Sequence, residues 1–132
     1  MTNTGINLST TLNNLVVSLK PSDPYKIVLF GSYANGNLTD HSDIDLMAIL
    51  DTDHISTTYQ ERLDKKLYIR RLLREINREF ALDLLVYSKA ELKKIKEYGN
   101  TFITEVERTG KIIYEKVNRR IYRICKRRKK NN

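Results

Sequence analysis

Three aspartates at defined spacings are the residues of this 132-residue chain best suited to chemistry. Asp43 and Asp45 are two positions apart in the apolar segment Asp43 to Leu50, so in a β-strand their side chains lie on the same face. Asp83 lies in another apolar segment, Ala81 to Tyr87. Carboxylates at a buried face repel one another and lose hydration, and a divalent cation offsets that cost. If the segments pair, their oxygens suit two Mg²⁺ ions that assist phosphoryl displacement.

A glycine–serine turn after the apolar segment Tyr25 to Phe30 supplies the second part of this chemistry. Gly31 lets the backbone approach a ligand closely, and a helix that begins at Ser32 would direct free N–H groups at a phosphate. The Ser32 hydroxyl adds another donor. We therefore expect a site for a metal-bound nucleoside triphosphate. His41 and His54 are interpreted as solvated loop residues rather than as catalytic ones.

Alternating strands and helices position these residues. Short β-branched runs between turn residues predict strands at 25–30, 43–50, 81–87 and 111–114. Apolar residues at helical spacing predict helices at 8–19, at 55–80 and from residue 102 to a C-cap at Gly110. Ser88 and Glu91 have the spacing of a capping box, which starts a further helix.

Length and charge limit the class of protein. A chain of 132 residues forms one domain and leaves no room for a second, acceptor-binding domain. Residues 116–132 contain nine Lys and Arg and no acid, which exceeds the net charge of +8, so residues 1–115 are nearly neutral. We expect a folded domain at 1–115 and a basic extension at 116–132. The single Cys125 excludes an internal disulfide, and every apolar run is far shorter than a membrane span of ~20 residues, so a cytoplasmic protein is expected.

Gly31-Ser32 followed by Ser42-Asp43-Ile44-Asp45-Leu46 resembles the signature of the polymerase-beta-like nucleotidyltransferase superfamily. The chain is most similar to its minimal, stand-alone branch, the minimal nucleotidyltransferases. The segment 102–115 resembles the closing helix and strand of those proteins, so the resemblance spans about residues 10–115. It implies an α/β (α+β) fold with a small mixed sheet and helices packed mainly on one face.

The resemblance also implies a role for each site residue. Asp43 and Asp45 would bind both Mg²⁺ ions, and Asp83 would bind only the catalytic ion and help to activate the incoming hydroxyl. Gly31 and Ser32 would contact the triphosphate, usually ATP. The minimal proteins often carry Arg where this chain has Asn35, and loss of that charge would weaken phosphate or partner contacts.

The implied reaction is transfer of AMP from ATP to a hydroxyl with release of pyrophosphate. Minimal family members often act as antitoxins that adenylylate a tyrosine of a HEPN toxin, and this is the leading functional hypothesis. One alternative is an antitoxin that only masks its partner, without catalysis. Another is an enzyme that adds nucleotides to RNA, guided by the basic extension, which could equally be a solubilising end.

Overall fold

The chain folds into a mixed α/β structure around a four-stranded sheet. The computed structural model describes residues 4–31, 34 and 43–117, with side chains from Ser9 onward. Its strands are β1 (Pro24–Phe30), β2 (Ile44–Leu50), β3 (Leu82–Ser88) and β4 (Lys111–Glu115). Its helices are α1 (Thr4–Leu19), α2 (Tyr59–Leu72), α3 (Arg74–Asn77), α4 (Lys89–Glu97) and α5 (Thr101–Thr109), with a 3₁₀ turn at Lys20–Ser22.

The sheet is mixed, in the order β3-β2-β1-β4. β1 pairs antiparallel with both β2 and β4, whereas β2 and β3 run parallel. The connection between the parallel strands contains α2 and α3, as a parallel pair requires a crossover. The predicted fold class is confirmed.

Helices cover both faces of the sheet, rather than mainly one face as expected, and bury two apolar clusters. The first cluster joins α1, α2 and α3 to one face and includes the fully buried Leu15 and Ile69. The second joins α4 and α5 to the other face through Leu92, Ile103 and Val106. The two longest helices thus lie on one face and the two nine-residue helices on the other. Each fully buried Leu or Ile contributes about 1.5–3 kcal/mol, which makes these clusters the main source of stability.

The predicted helix at 55–80 was wrong in its limits, because it is two shorter helices. Thr58 is the N-cap of α2, and its side-chain oxygen accepts from the N–H of Glu61 at 3.1 Å. The Glu61 carboxylate in turn accepts from the N–H of Thr57 at 2.7 Å. Threonines that bind the backbone in this way favour a cap over additional helical turns. At the other end, Leu73 leaves helical geometry with φ −99° and ψ 14°, which separates α2 from α3.

Gly110 ends α5 as predicted, but for a different physical reason. Its φ of −74° is not left-handed, so the residue does not form the expected type of glycine cap. A Cβ at this position would lie 2.5 Å from the carbonyl oxygen of Val106 and 2.6 Å from Cγ1 of Val28. Glycine is therefore required by the close packing of the helix end against β1.

A chain of ion pairs connects the strand ends farthest from the three aspartates. Lys116, just after β4, donates to Asp51 at 2.6 Å and to Asp23 at 2.9 Å. Lys89, just after β3, lies 2.7 Å from the other carboxylate oxygen of Asp51. The N–H of Lys116 also donates to the carbonyl of Tyr25 at 2.8 Å, so Lys116 is anchored to the sheet. In the part of the chain that the structure describes, no helix is both long enough and apolar enough to cross a bilayer.

Candidate active site

Strand pairing brings two of the three predicted aspartates side by side. In the parallel pair β2 and β3, Asp45 and Asp83 are direct Cα partners. In the antiparallel pair β1 and β2, Phe30 is the partner of Asp45. Side chains of paired residues lie on the same face of a sheet, so Phe30, Asp45 and Asp83 form a row across three strands. Phe30 packs with the cluster under α4 and α5, which identifies the face.

Asp43 lies just outside the strand, at the position before β2 begins. It is exposed, as is Asp83, whereas Asp45 is partly buried. Burial raises the pKa of the Asp45 carboxyl above its ordinary value, and the negative charges of Asp83 and Asp43 raise it further. The three carboxylates thus interact electrostatically, and Asp45 is the member whose charge is least favourable. A bound cation would remove that penalty.

Gly31, the residue directly after β1, contacts the carboxylate of Asp45. Its φ of +73° is in the left-handed region, where L side chains are disfavoured. A Cβ on Gly31 would lie 2.1 Å from Oδ2 of Asp45, far inside van der Waals contact. The carbonyl of Gly31 accepts from the N–H of Ala34 at 3.1 Å, which begins the turn that follows. The sequence predicted a glycine that lets the backbone approach a ligand, and the structure shows that the backbone approaches Asp45.

The predicted residue Ser32 lies outside the described residues, as do Asn35 and His41. Within residues 4–31, 34 and 43–117, no three His, Cys, Asp or Glu side chains are gathered closely enough to hold one metal ion as they stand. The donor set nevertheless suits Mg²⁺, which binds carboxylate oxygens and keeps several water and phosphate ligands. The mutual repulsion at Asp45 fits the same interpretation.

Two phenylalanines at this end of the sheet were not indicated by the motif. Phe30 lies next to Asp45, and its ring meets that of Phe102 edge-on with centroids 6.1 Å apart. Phe102 is 54% exposed at the first turn of α5, where Asn100 caps the helix by accepting from the N–H of Ile103 at 3.0 Å. The pair forms an apolar wall beside the carboxylates. The position of Phe30 directly before Gly31 was the available sequence signal, but the contact with Phe102 depends on tertiary packing.

Comparisons with known proteins agree with this geometry. The family model described as "Polymerase beta, Nucleotidyltransferase" matches residues 13–119. Among solved structures, the chain is similar to a toxin-antitoxin with AMP-PNP, with 19% identity and a TM-score of 0.55 over 80% of this chain and 73% of that one. It is similar to a protein assigned as a nucleotidyltransferase from Sulfolobus solfataricus, with 17% identity and a TM-score of 0.54 over 84% of this chain and 83% of that one.

A third similar structure is a mutant of the toxin-antitoxin MntA-HpeT in which two aspartates are replaced by glutamates. It shares 17% identity with a TM-score of 0.52, over 80% of this chain and 73% of that one. No functionally curated protein matches the sequence. The family match covers most of the chain, including both strands that carry the aspartates. This chain belongs to the polymerase beta nucleotidyltransferase family.

Proposed function

We propose that this protein transfers AMP from ATP to a hydroxyl group of a partner protein, and that the partner is a toxin, of HEPN type as the sequence resemblance implies. The observation that carries the proposal is the pairing of Asp45 with Asp83 on one face of the sheet, against the backbone of Gly31. Carboxylates from two adjacent strands beside the Gly31 backbone form the arrangement that nucleotidyl transfer needs.

In this proposal the chain supplies ligands, a proton acceptor and a backbone path for the triphosphate. Asp43 and Asp45 would hold two Mg²⁺ ions and Asp83 one of them, and the ions would supply charge neutralisation at the phosphates. The exposed carboxylate of Asp83 accepts the proton of the incoming hydroxyl. The hydroxyl oxygen then bonds to the α-phosphorus, the bond between that phosphorus and the bridging oxygen breaks, and pyrophosphate leaves. The Gly31–Ser32 turn would hold the triphosphate, and Phe30 and Phe102 would form an apolar wall on one side of it.

Two of the similar structures support the choice of nucleotide and partner. One holds AMP-PNP, an analogue of ATP, in a toxin-antitoxin, and another is a toxin-antitoxin mutant altered at two aspartates. Because their sequence identity to this chain is below 20%, these structures are evidence for its fold alone. The identity of the acceptor must therefore be tested directly.

The test is transfer of label from ATP labelled at the α-phosphate to the protein encoded by the neighbouring reading frame, in the presence of Mg²⁺. We expect label on that partner with the natural chain and none with Asp43→Asn/Asp45→Asn. The control is Asp53→Asn/Asp64→Asn, which removes two exposed carboxylates elsewhere and should leave transfer unchanged. Absence of label with folded proteins would contradict the proposal. Protection of cells by the inactive variant would instead favour masking without catalysis.

A further inference from the structure

A groove of about 400 Å³ runs along the outer edge of the sheet, at β3, the strand that carries Asp83. Residues 84–87 of β3 form its floor, and Ile55 and Ser56 close one end. Arg62, Lys65 and Lys66 of α2 line one wall. Lys94 and Ile95 of α4 line the other, together with Tyr98 directly after that helix. The groove therefore lies between the two helical layers, where the sheet ends.

The floor of the groove is a strand edge without a partner among the described strands. β3 is the first strand in the order β3-β2-β1-β4, so only its inner edge is paired there. Exposed edges are usually protected by Pro or by charged side chains, especially Lys, yet residues 84–87 of β3 (Leu-Leu-Val-Tyr) contain neither, and Asp83 is the one charged residue of the strand. The opposite edge strand, β4, has the charged residues Lys111 and Glu115 at its ends. The β3 edge is thus the one suited to pair with an added strand.

The charge of the groove indicates that its binding partner is acidic. Lys65 and Glu91 neutralise each other, because they form an ion pair inside the groove with each side chain no more than 15% exposed. Arg62, Lys66 and Lys94 make no ion pair with any carboxylate in the described ranges. An acidic occupant matches this excess of positive charge, whereas a second copy paired through the same strand edge would bring its own groove cations against these.

The apolar floor distinguishes a peptide from a nucleic acid. Leu84, Leu85 and Val86 lie on the floor, and Ile95 lies on the wall beside them. Apolar side chains of an extended peptide fill such a floor while its backbone pairs with the strand edge. A phosphate backbone gains little from either feature, since its affinity comes mainly from exposed cations.

The groove leads to the proposed catalytic carboxylates. Asp83 and Leu85 lie on the same face of β3, two residues or about 6.5 Å apart. A strand added to β3 would lie about 4.8 Å further out and would extend the row of Phe30, Asp45 and Asp83 by one residue. That added residue is the one whose hydroxyl lies nearest to Asp83.

We infer that an extended, acidic segment of the acceptor protein binds in this groove as a fifth strand, paired with the outer edge of β3. This inference rests on the proposed function for the identity of the acceptor. The binding itself needs neither nucleotide nor metal, because the groove residues differ from the aspartates of the site. The two proposals can therefore fail separately.

The test measures binding of a fluorescent peptide of alternating Glu and Val to the full chain, without ATP or metal. Arg62→Glu/Lys94→Glu reverses one charge on each wall and should weaken binding about tenfold or more, that is by ~1.4 kcal/mol. The matched control is Arg71→Glu/Lys93→Glu, which reverses one exposed charge on each of the same helices outside the groove and should bind as the natural chain does. A peptide methylated at alternate backbone nitrogens should bind at least about tenfold more weakly, since it cannot pair along one edge.

Equal binding by the two double variants, or equal binding of the methylated peptide, would overturn the inference. So would stronger binding of a single-stranded oligonucleotide in the same groove, or a dimer of the free chain that depends on Arg62 and Lys94. Asp43→Asn/Asp45→Asn should still bind the peptide, and Arg62→Glu/Lys94→Glu should still bind Mg²⁺ and ATP. If the protein binds Mg²⁺ and ATP normally but does not bind the peptide, only the groove inference is rejected. If it binds the peptide but does not bind Mg²⁺ and ATP, only the proposed reaction is rejected.

Discussion

At the scale of single residues, the fold places Asp45 where its charge is unfavourable. The side chain is partly buried, and Asp83 and Asp43 add like charges to that burial. A protein that held only a structural residue here would be more stable with a neutral side chain. Retention of this carboxylate therefore points to a ligand that the free protein lacks.

Asp45→Asn should raise the free energy of unfolding of the metal-free protein by about 1 kcal/mol at neutral pH. Because the pKa of Asp45 is raised in the folded state, its penalty is present when the group is ionised and disappears as pH falls below the ordinary value of 3.8. The difference between the natural chain and the variant should shrink in acid. Urea unfolding with a chelator, repeated across pH, measures this, and a destabilising effect at neutral pH would contradict it.

Gly31→Ala should abolish nucleotide transfer and destabilise the fold, because the new methyl group would displace the Asp45 carboxylate. Gly99→Ala is the matched control, since Gly99 has a similar φ of +78°, but a Cβ added there would meet no atom of the described residues within 4 Å. The Gly99→Ala control should lower the free energy of unfolding by only about 1–2 kcal/mol, the cost of a left-handed backbone conformation for alanine. Unfolding and transfer assays on both variants separate the two effects, and equal losses would show that contact with Asp45 is unimportant.

At this scale the sequence predicted the acids but not their neighbours. The two-residue spacing of Asp43 and Asp45 and the apolar flanks of Asp83 were enough to predict three strand-associated carboxylates. The contact of Gly31 with Asp45, and the row that includes Phe30, depend on strand register. Register follows from the pairing of distant segments, which a local pattern does not contain.

At the scale of elements, Glu91 joins three parts of the chain. It completes the predicted capping box of α4 by accepting from the N–H of Ser88 at 2.8 Å, while its own N–H donates to the Ser88 hydroxyl at 3.1 Å. It also accepts from the N–H of Ser56 at 2.8 Å and pairs with Lys65 of α2. Burial opposes ionisation of Glu91, but the hydrogen bonds from Lys65, Ser88 and Ser56 outweigh it and lower its pKa to about 2.

Glu91→Gln should lower the free energy of unfolding by about 2–3 kcal/mol at neutral pH, because several charge-assisted hydrogen bonds are lost. Since the folded-state pKa is depressed, this stabilisation is present above the ordinary value of 4.5 and is lost as pH falls toward about 2. The two proteins should therefore converge in stability across that interval. Thermal unfolding at a series of pH values measures it, and a difference independent of pH would contradict the assignment.

Element boundaries were only partly predictable. The capping box at Ser88 was visible because its two residues have a fixed spacing. The start of α2 at Tyr59 was missed because the apolar pattern that begins at Leu63 was extended back to Ile55, whereas Thr57 and Thr58 bind Glu61 instead. Caps compete with helix extension through side-chain hydrogen bonds, and an apolar pattern does not report them.

At the scale of the whole molecule, ion pairs connect the strands at the end of the sheet that lies farthest from the three aspartates. One residue next to each strand takes part in a continuous series of ion pairs. Asp23 precedes β1, and Asp51, Lys89 and Lys116 directly follow β2, β3 and β4. This leaves the proposed site at the other end, where β1 leads into the glycine turn and β2 begins. Lys116 belongs to the sheet by these contacts, so a truncation that tests the basic extension should end at Val117.

Asp51→Asn should lower the midpoint of thermal unfolding by about 3–5 °C in low salt, because Asp51 pairs with two lysines. Hydrogen bonds from Lys116 and Lys89 lower the pKa of Asp51, so its contribution is present above the ordinary value of 3.8 and is lost as pH falls. Concentrated salt screens such pairs and should reduce the difference. A midpoint difference that persists unchanged in 1 M salt (Debye length about 3 Å) would contradict an electrostatic origin.

Mn²⁺ binding in the presence of AMP-PNP tests whether Asp43, Asp45 and Asp83 form a metal-dependent nucleotide site. Mn²⁺ replaces Mg²⁺ at oxygen ligands and can be counted by electron paramagnetic resonance. We expect about two ions per chain with the nucleotide analogue, and loss of both in Asp43→Asn/Asp45→Asn but not in Asp53→Asn/Asp64→Asn. Equal Mn²⁺ binding by the natural chain and the site variant would contradict it.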